Sequence, residues 1–186
     1  MPDSNPLFEK AVTELFDKEG RYSNHVSDRG GPTMYGVTEN VARAAGYTGD
    51  MKDLTEYRAR QIAKERYWDT LRLDDVAGIS YPVACELFDT AYNCGISVAG
   101  RFLQRALNVL NREQKDYPDV TVDGIVGMMT VHSLRLFIQK RGISPGQTVL
   151  LKALNALQGA YYIEICESRP ANESFAFGWL QARVDL

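Results

Sequence analysis

Apolar residues recur at intervals of three and four along most of this chain, which is the spacing of one buried face of an α-helix. The first apolar stripe runs through residues 8–16 and is followed by Gly20, which can take the left-handed conformation that ends a helix. Between Tyr22 and Val37 the stripe is lost, and glycine-rich polar chain predicts a loop or small hairpin. Helical spacing then returns and continues towards the C-terminus.

Residues that commonly begin and end helices divide the remaining chain. Hydroxyl side chains that can accept hydrogen bonds from first-turn N–H groups stand before two predicted helices, at Thr38 and Thr55. Ser80 and Pro82 open a third helix, and Ser97 starts another. The predicted helices cover about residues 39–45, 56–68, 81–93, 97–111, 128–140, 144–167 and 174–183. A charged stretch at 112–118 predicts an exposed loop between two of them.

The composition fits one compact domain, or two small domains that share a core. The 186 residues are 45% hydrophobic and 24% charged. No stretch approaches the roughly 18 consecutive apolar residues that would cross a membrane. The net charge is −3, so the basic footprint of a nucleic-acid-binding protein is absent. The first six residues lack the basic start and apolar run of a signal peptide, so synthesis in the cytoplasm is expected.

The cysteines and acidic residues give no convincing metal-binding motif. Cys85, Cys94 and Cys166 lack zinc-ligand spacing and are interpreted as buried small hydrophobic residues. The stretch from Asp119 to Thr130 begins like a calcium-binding loop, but it ends in threonine where calcium needs a bidentate carboxylate. We therefore expect no metal and no cofactor.

Two carboxylates lie close together in sequence at the end of the first helix. Glu19 falls at its C-terminus, where the negative end of the helix dipole tends to raise the pKa of a carboxyl group. Asp28 lies nine positions later in a polar, glycine-rich loop. Such different surroundings can create an acid and a base from two carboxyl groups. A glutamate before a glycine can also be an ordinary surface residue.

The chain around these acids reads Glu19-Gly20-Arg21-Tyr22, then Asp28-Arg29-Gly30-Gly31-Pro32-Thr33, then Tyr35-Gly36-Val37-Thr38. In order, spacing and residue type it resembles the N-terminal signature of glycoside hydrolase family 108. That family comprises lysozyme-like N-acetylmuramidases found as phage endolysins and as bacterial secretion activator proteins. Arg21 departs from the pattern, because the family has a second glycine there. If that glycine needs a positive φ angle, Arg21 would be strained.

Downstream segments extend the resemblance to about residue 180. Three are similar to family motifs: Arg66-Tyr67-Trp68-Asp69, Phe88-Asp89-Thr90-Ala91-Tyr92-Asn93-Cys94-Gly95 and Arg101-Phe102-Leu103-Gln104-Arg105-Ala106-Leu107. The stretch Asp123-Gly124-Ile125-Val126-Gly127-Met128-Met129-Thr130 is similar to a turn of small peptidoglycan-binding modules. The resemblance implies a mainly α, lysozyme-like fold with a small loop or hairpin after the first helix and a helical C-terminal part. It implies a catalytic part over residues 1–95 and a peptidoglycan-binding-like part over 96–186, packed on it or integrated with it.

The resemblance also implies a function, which is hydrolysis of the β-1,4 bond between N-acetylmuramic acid and N-acetylglucosamine in peptidoglycan. Glu19 would be the general acid. Asp28 would position or activate water, or stabilise positive charge on the sugar, and Thr33 would help hold that water. These two roles follow the Glu, Asp and Thr of phage-type lysozymes, whose last interval differs from the one here. The residues expected to line the sugar cleft are Ser23, Asn24, Tyr35 and Asn93. Asn93 could equally cap its helix before Gly95.

Peptidoglycan is the expected partner, and it would be bound by a monomer through local contacts rather than through bulk charge. Without a signal peptide, a phage endolysin would need a holin, and a bacterial enzyme would need secretion machinery, to reach the cell wall in the periplasm. Inversion at the anomeric carbon is the expected stereochemical outcome.

Two alternative functions stay open. A non-catalytic wall-binding or secretion-accessory protein is favoured by the turn at Asp123 and by Arg21. A lytic transglycosylase would use a glutamate but release anhydro-sugars without water, and the presence of Asp28 favours a hydrolase over it. A group of aromatic residues near the C-terminus is interpreted as helix packing rather than as a sugar platform: Tyr161, Tyr162, Phe175, Phe177 and Trp179.

Overall fold

The structure, a computed structural model, describes residues 5–23 and 31–184. The chain divides into two compact units, residues 1–69 and 70–186. Over the described residues both units are built mainly of helices, with one small sheet after the first helix. The mainly α fold with a small hairpin and a helical C-terminal part, predicted from the sequence, is therefore confirmed. None of the described helices is long and apolar enough to span a membrane.

The described residues of the first unit form three helices, three short strands, one 3-10 turn and one π-turn. The helices are α1 (Pro6–Glu19), α2 (Glu39–Ala44) and α3 (Glu56–Ala63). The strands are β1 (Tyr22–Ser23), β2 (Thr33–Met34) and β3 (Val37–Thr38), paired antiparallel in that order. A 3-10 turn covers Met51–Asp53, and a π-turn at Lys64–Trp68 continues α3.

Helix α1 is held against α3 and its π-turn by aromatic and charged contacts. The ring of Phe8 meets Trp68 edge-on, with ring centres 5.5 Å apart. Arg60 on α3 donates hydrogen bonds to the Glu9 carboxylate and the Thr13 hydroxyl, both at 3.1 Å. Its guanidinium also lies 5.7 Å from the ring centre of Phe16. These contacts extend along most of α1 and fix the direction in which its C-terminal end points.

The second unit is a bundle of six described helices. They are α4 (Leu73–Ala77), α5 (Tyr81–Cys94), α6 (Ile96–Leu110), α7 (Met128–Arg141), α8 (Ile143–Ser168) and α9 (Glu173–Arg183). Helix α8 is 26 residues long and packs against α5, α6, α7 and α9. It therefore forms the spine on which the other helices of this unit are assembled.

Most of the predicted helix starts agree with the structure. The side chains of Thr38, Thr55 and Ser80 accept hydrogen bonds from first-turn N–H groups of α2, α3 and α5. Helix α6 begins at Ile96, one residue before the predicted start at Ser97 and directly after Gly95. Gly95, with φ 100°, ends α5 through its N–H and begins α6 through its carbonyl, which accepts from Val98 and Ala99. One glycine thus ends one helix and begins the next.

The turn that resembles a calcium loop is shaped by hydrogen bonds. Asp119 accepts from the side-chain amide of Asn111 at 2.6 Å. Asp123 accepts from the side chain of Gln104 and from the N–H of Ile125, both at 2.8 Å. These carboxylates therefore fold the chain onto α6, as the tight-turn interpretation of this stretch predicts.

The cysteines and C-terminal aromatic residues only partly follow the predicted burial. Cys166 is buried, whereas Cys85 and Cys94 are half-buried, and none of these three described cysteines forms a disulfide. Trp179 stacks on Tyr162 and on Phe175, with ring centres 5.3 and 5.5 Å apart, so these three rings pack as predicted. Phe177 is 78% exposed and does not belong to that packing.

Helix α6 and the turn at Asp123 approach each other so closely that glycine is needed on both sides. A Cβ atom at Gly100 would overlap the carbonyl oxygen of Gly124 and lie 2.7 Å from its carbonyl carbon. Gly124 has φ 84°, and a Cβ atom there would lie 2.7 Å from the carbonyl oxygen of Ser97. The backbones therefore touch directly, with no room for a side chain.

We expect the substitution Gly100→Ala to lower the free energy of unfolding by about 1–3 kcal/mol, the usual cost of forcing extra atoms into a packed interior. Gly178→Ala is the matched control, because it lies in α9 with no atom within 4 Å of its added Cβ. It should instead raise stability by about 0.5–1 kcal/mol, since alanine favours helix. Urea denaturation measures both, and equal stability of the two variants would contradict the close approach.

Candidate active site

Glu19 is the last residue of α1 and its side chain is half-buried. Gly20 follows with φ 74°, and its N–H donates to the carbonyl of Phe16 at 3.2 Å. The helix therefore ends where the glycine predicted it to end. This end places the carboxylate at the negative pole of the helix dipole, beside the point where the chain turns towards the sheet.

The π-turn after α3 brings a buried aromatic side chain close to Glu19. The N–H of Asp69 donates to the carbonyl of Lys64 at 2.9 Å, which is the five-residue spacing of a π-helix. Tyr67 lies in this turn and is 8% exposed. Burial raises the pKa of Tyr67, the positive charge of Arg66 lowers it, and the nearby charge of Glu19 raises it. Tyr67 therefore keeps its phenolic proton at neutral pH.

Tyr35 occupies a strained turn beside α1. The loop between β2 and β3 has two residues, Tyr35 and Gly36, with φ 53° and 73°. This is the type I′ hairpin geometry, which usually takes asparagine or glycine at its first position. The Tyr35 ring stacks on Phe16 with ring centres 5.5 Å apart and planes 22° apart. Phe16 and Glu19 are three residues apart and share one side of α1, so Tyr35 lies on the side that carries Glu19.

The small sheet presents a row of hydroxyl groups on one face. Ser23 pairs with Thr33, and Thr33 pairs with Thr38, so the three side chains stand side by side. The opposite face carries Met34 and Val37, which are buried. The Thr33 hydroxyl donates to the carbonyl of Gly31 at 3.1 Å, which leaves its lone pairs to accept a further hydrogen bond.

A polar groove lies beside the sheet within the first unit. Its volume is about 330 Å³, and it is lined by Tyr22, Pro32, Glu39, Arg43, Asp50, Met51 and Lys52. The Tyr22 ring is 40% exposed, and the Lys52 ammonium group lies 5.5 Å from its centre. An exposed ring surrounded by polar groups can offer both stacking and hydrogen bonds to a sugar.

Arg21 is exposed and does not have a positive φ angle. Its carbonyl accepts a hydrogen bond from the N–H of Tyr35 at 2.8 Å, which ties the chain after α1 to the hairpin turn. The strain that a positive φ would impose on Arg21 is therefore absent. Arginine in place of the family's glycine at this position therefore introduces no backbone strain.

We expect Arg21→Gly to give no gain in stability, because there is no strain to relieve. Glycine should instead lower the free energy of unfolding by up to about 1 kcal/mol through its greater freedom in the unfolded chain. Thermal and urea denaturation of both proteins measure the difference. A variant more stable than the parent by 1 kcal/mol or more would show that the arginine is strained.

The structure brings several of the predicted site residues together in the first unit, namely Glu19, Ser23, Thr33 and Tyr35. Asp28 and Asn24 lie outside the described residues. Asn93 lies in the second unit, exposed near the end of α5, and its amide donates to the carbonyl of Asp89 at 3.0 Å. Gly95, rather than Asn93, is the C-cap of that helix.

Sequence reasoning did not assign Arg66 or Tyr67 to the site. Both stand in the aromatic segment that resembles the family motif, and that segment was the available signal. The π-turn that contains Tyr67 cannot be recognised from the spacing of apolar residues, because one extra residue in a helical turn changes no residue type.

Two family models match nearly the whole described chain. Residues 12–95 match the model described as Glycosyl hydrolase 108, and residues 98–184 match the model described as Predicted Peptidoglycan domain. Together they define a peptidoglycan-related glycoside hydrolase. The match of residues 12–95 to the glycosyl hydrolase 108 family confirms the resemblance found in the sequence.

Comparison with individual proteins supports the fold. A solved structure titled "Structure of Brucella abortus SagA" matches with a TM-score of 0.63. It is 24% identical in sequence, and the match covers 95% of this chain and 97% of that chain. No curated protein sequence matches this chain. At this level of identity the structural match shows a shared lysozyme-like fold.

The family segments and the compact units divide the chain at different places. The hydrolase segment continues to residue 95, past the unit boundary at Asp69–Thr70. It therefore includes α4 and α5, which pack with α6, α7 and α8 in the second unit. The division at residue 95 into a catalytic part and a wall-binding part stays a prediction.

Proposed function

We propose that this protein is an N-acetylmuramidase that hydrolyses the β-1,4 bond between N-acetylmuramic acid and N-acetylglucosamine, with Glu19 as the general acid. The observation that carries the proposal is the position of Glu19. It is a half-buried carboxyl group at the glycine-terminated end of α1, with Tyr67 close by and Tyr35 on the same side of the helix.

In the proposed reaction the Glu19 carboxyl group donates its proton to the glycosidic oxygen as the bond to the anomeric carbon breaks. A water molecule adds to that carbon and gives up a proton, so that two hydroxyl groups result. Asp28 is proposed to accept this proton, a role that rests on similarity to phage-type lysozymes. Thr33 can accept a hydrogen bond from the water, because its own proton is donated to Gly31.

Other groups of the first unit support binding rather than proton transfer in this proposal. Tyr35 offers a ring held by stacking, and Ser23 offers an exposed hydroxyl group on the edge strand. Tyr67 is buried and stays neutral close to Glu19, so it contributes to the surroundings of the acid without taking part in proton transfer.

Product analysis of purified Gram-negative sacculi tests the reaction. The wild-type protein should release soluble muropeptides with reducing N-acetylmuramic acid ends, identified by mass spectrometry after borohydride reduction. Anhydro-muramic ends would replace this proposal with a lytic transglycosylase. Reducing N-acetylglucosamine ends would show that the other glycosidic bond is cut.

Inversion at the anomeric carbon is the proposed stereochemical course. Inverting enzymes hold their two carboxyl groups about 6.5–9.5 Å apart, which leaves room for the water. Proton NMR of the first products should then show the α-anomer formed from the β-linked glycan. Early accumulation of the β-anomer would establish retention instead.

A non-catalytic wall-binding protein is the second candidate, and the match of residues 98–184 to a peptidoglycan domain supports it. Arg21 gives it no further support, because its backbone is unstrained. The endolysin role, release by a holin or by secretion machinery, action in the periplasm and a monomeric state remain predictions from the sequence.

A further inference from the structure

A groove between α6 and α8 combines charged rims with an aromatic floor. Its volume is about 290 Å³, close to the lower end of the 300–1,000 Å³ that ligand pockets span. The lining residues are Val98, Arg101, Phe102, Arg105, Leu157, Ala160, Tyr161 and Glu164. All of them fall inside the segment that matches the peptidoglycan domain.

One rim of the groove carries two guanidinium groups that are available for a ligand. Arg101 and Arg105 are four residues apart on α6, so they project from the same side of the helix. Both are exposed, and neither makes a hydrogen bond or ion pair with a described residue. Arginine binds carboxylates in a bidentate manner, and two arginines on one rim favour an anionic ligand.

The nearest acidic groups do not neutralise this rim. Asp123 has a lowered pKa mainly through hydrogen bonds from Ile125 and Gln104, and the charge of Arg101 contributes least. Glu164 lines the groove from α8 without an ion pair to either arginine. The chain as a whole carries a net charge of −3, so this rim is a local exception to its overall charge.

The floor of the groove is apolar and fixed in position. Phe102 is 5% exposed and meets the ring of Tyr161 edge-on, with ring centres 6.0 Å apart. Val98, Leu157 and Ala160 complete the apolar lining. Small methyl groups between charged groups would fit such a surface, because they remove apolar area from water while the charges stay at the rim.

We propose that this groove binds the carboxylate-bearing stem peptide of peptidoglycan. The proposal rests on the proposed function for its ligand class, and it places wall recognition on α6 and α8. Stem peptides alternate alanine methyl groups with free carboxylates and carry an amino group on their dibasic residue. The methyl groups match the apolar floor, the carboxylates match Arg101 and Arg105, and the amino group matches Glu164. The uncharged parts of the glycan offer the arginines no such partner.

Binding to purified sacculi tests the groove. All variants carry Glu19→Gln, so that the wall is not digested during the measurement. We expect R101Q/R105Q to weaken co-sedimentation with sacculi by about tenfold or more, from the loss of charge-assisted hydrogen bonds. The matched control is R135Q/K152Q, which removes the same charge from exposed positions on α7 and α8 outside the groove. It should bind like the parent, and thermal denaturation should show all variants folded.

A soluble probe identifies the part of peptidoglycan that is bound. The free tetrapeptide stem, titrated into isotopically labelled protein, should shift the NMR signals of Phe102, Tyr161 and their neighbours. The same peptide with its carboxylates amidated should bind at least about tenfold more weakly. Equal binding of both peptides, or binding of a peptide-free chitooligosaccharide at this groove, would overturn the proposal.

The outcomes separate this inference from the proposed function. If wild-type protein digests sacculi but R101Q/R105Q binds as tightly as R135Q/K152Q, the groove proposal fails and the muramidase proposal stands. If wild-type protein releases no sugar products while R101Q/R105Q loses binding, the muramidase proposal fails and the groove proposal stands.

Discussion

Replacement of Glu19 by glutamine is expected to reduce the release of reducing ends from sacculi by at least about 10³-fold. An amide of the same shape cannot donate a proton to the leaving oxygen, and general acid catalysis contributes typically about 10²–10⁴-fold. A glycosidic bond has a poor leaving group, so we expect the upper part of that range. Binding to sacculi should stay unchanged, because the side chain keeps its size and its place at the end of α1.

The control for this experiment is Glu14→Gln, which makes the same chemical change at an exposed position on the same helix. It should retain full activity. Circular dichroism and thermal denaturation should show that both variants fold like the parent. A Glu19→Gln protein with more than a tenth of the parental rate would remove Glu19 from the role of acid.

Loss of the ion pair between Asp89 and Arg183 is expected to have the second largest effect, on stability. The side chains are only 13% and 8% exposed, and the guanidinium donates to the carboxylate at 2.7 Å. Asp89→Ala would leave a buried guanidinium without this partner, which costs about 3–5 kcal/mol. Urea denaturation should show this loss. Lys115→Ala breaks an exposed pair with Glu113 and should cost at most about 1 kcal/mol.

A buried hydrogen-bond network adjoins this ion pair. Gln158 is fully buried, and its amide is best oriented with nitrogen towards the Arg183 carbonyl and the Glu86 carboxylate and with oxygen accepting from the Tyr162 hydroxyl. A double variant, Asp89→Leu with Arg183→Leu, removes both charges and should recover much of the lost stability. Equal destabilisation by the single and the double variant would show that lost packing, rather than the loss of this ion pair, is responsible.

The ion pair also explains one motif of the sequence. Asp89 stands in the segment that resembles a hydrolase-family motif, where an acidic residue invites a catalytic interpretation. In the structure it joins α5, in the hydrolase segment, to the last turn of α9, in the peptidoglycan-domain segment. Its role within the second unit is therefore to hold the C-terminal helix.

The parts of the fold that follow from local chemistry could be predicted from the sequence. Thr38, Thr55 and Ser80 cap helices because their hydroxyl groups satisfy N–H groups one turn away, and Gly20 ends α1 because its φ angle is positive. Each of these signals acts within four residues, so no knowledge of tertiary contacts is needed.

Other elements depend on contacts or geometry that residue types do not encode. Helix α4 has five residues and follows Arg72, whose φ of 52° is unusual for arginine. No side-chain cap precedes this helix, so the sequence contains no local signal for its start. Helix α6 has no side-chain cap, because Gly95 ends α5 and begins α6. The partners Asp89 and Arg183 are 94 residues apart in sequence.

The candidate site also contains residues that local sequence signals predict and residues that depend on tertiary geometry. Glu19 could be predicted, because a helix-ending glycine and the family resemblance both indicate it. Tyr67 could not, because its approach to Glu19 depends on the π-turn. Tyr35 was expected to line the cleft, but its left-handed backbone and its stacking on Phe16 emerge only from the hairpin geometry.

The π-turn at Lys64–Trp68 has a genetic consequence. A π-turn holds one more residue than an α-turn, so it is equivalent to a single-residue insertion in a regular helix. Removing one residue from this turn would restore α-helical hydrogen bonding and redirect the side chains inside the turn, Tyr67 among them. The phenol would then leave the vicinity of Glu19 while the helix became more regular. A one-codon deletion is therefore expected to leave this helix folded while it disrupts the candidate site.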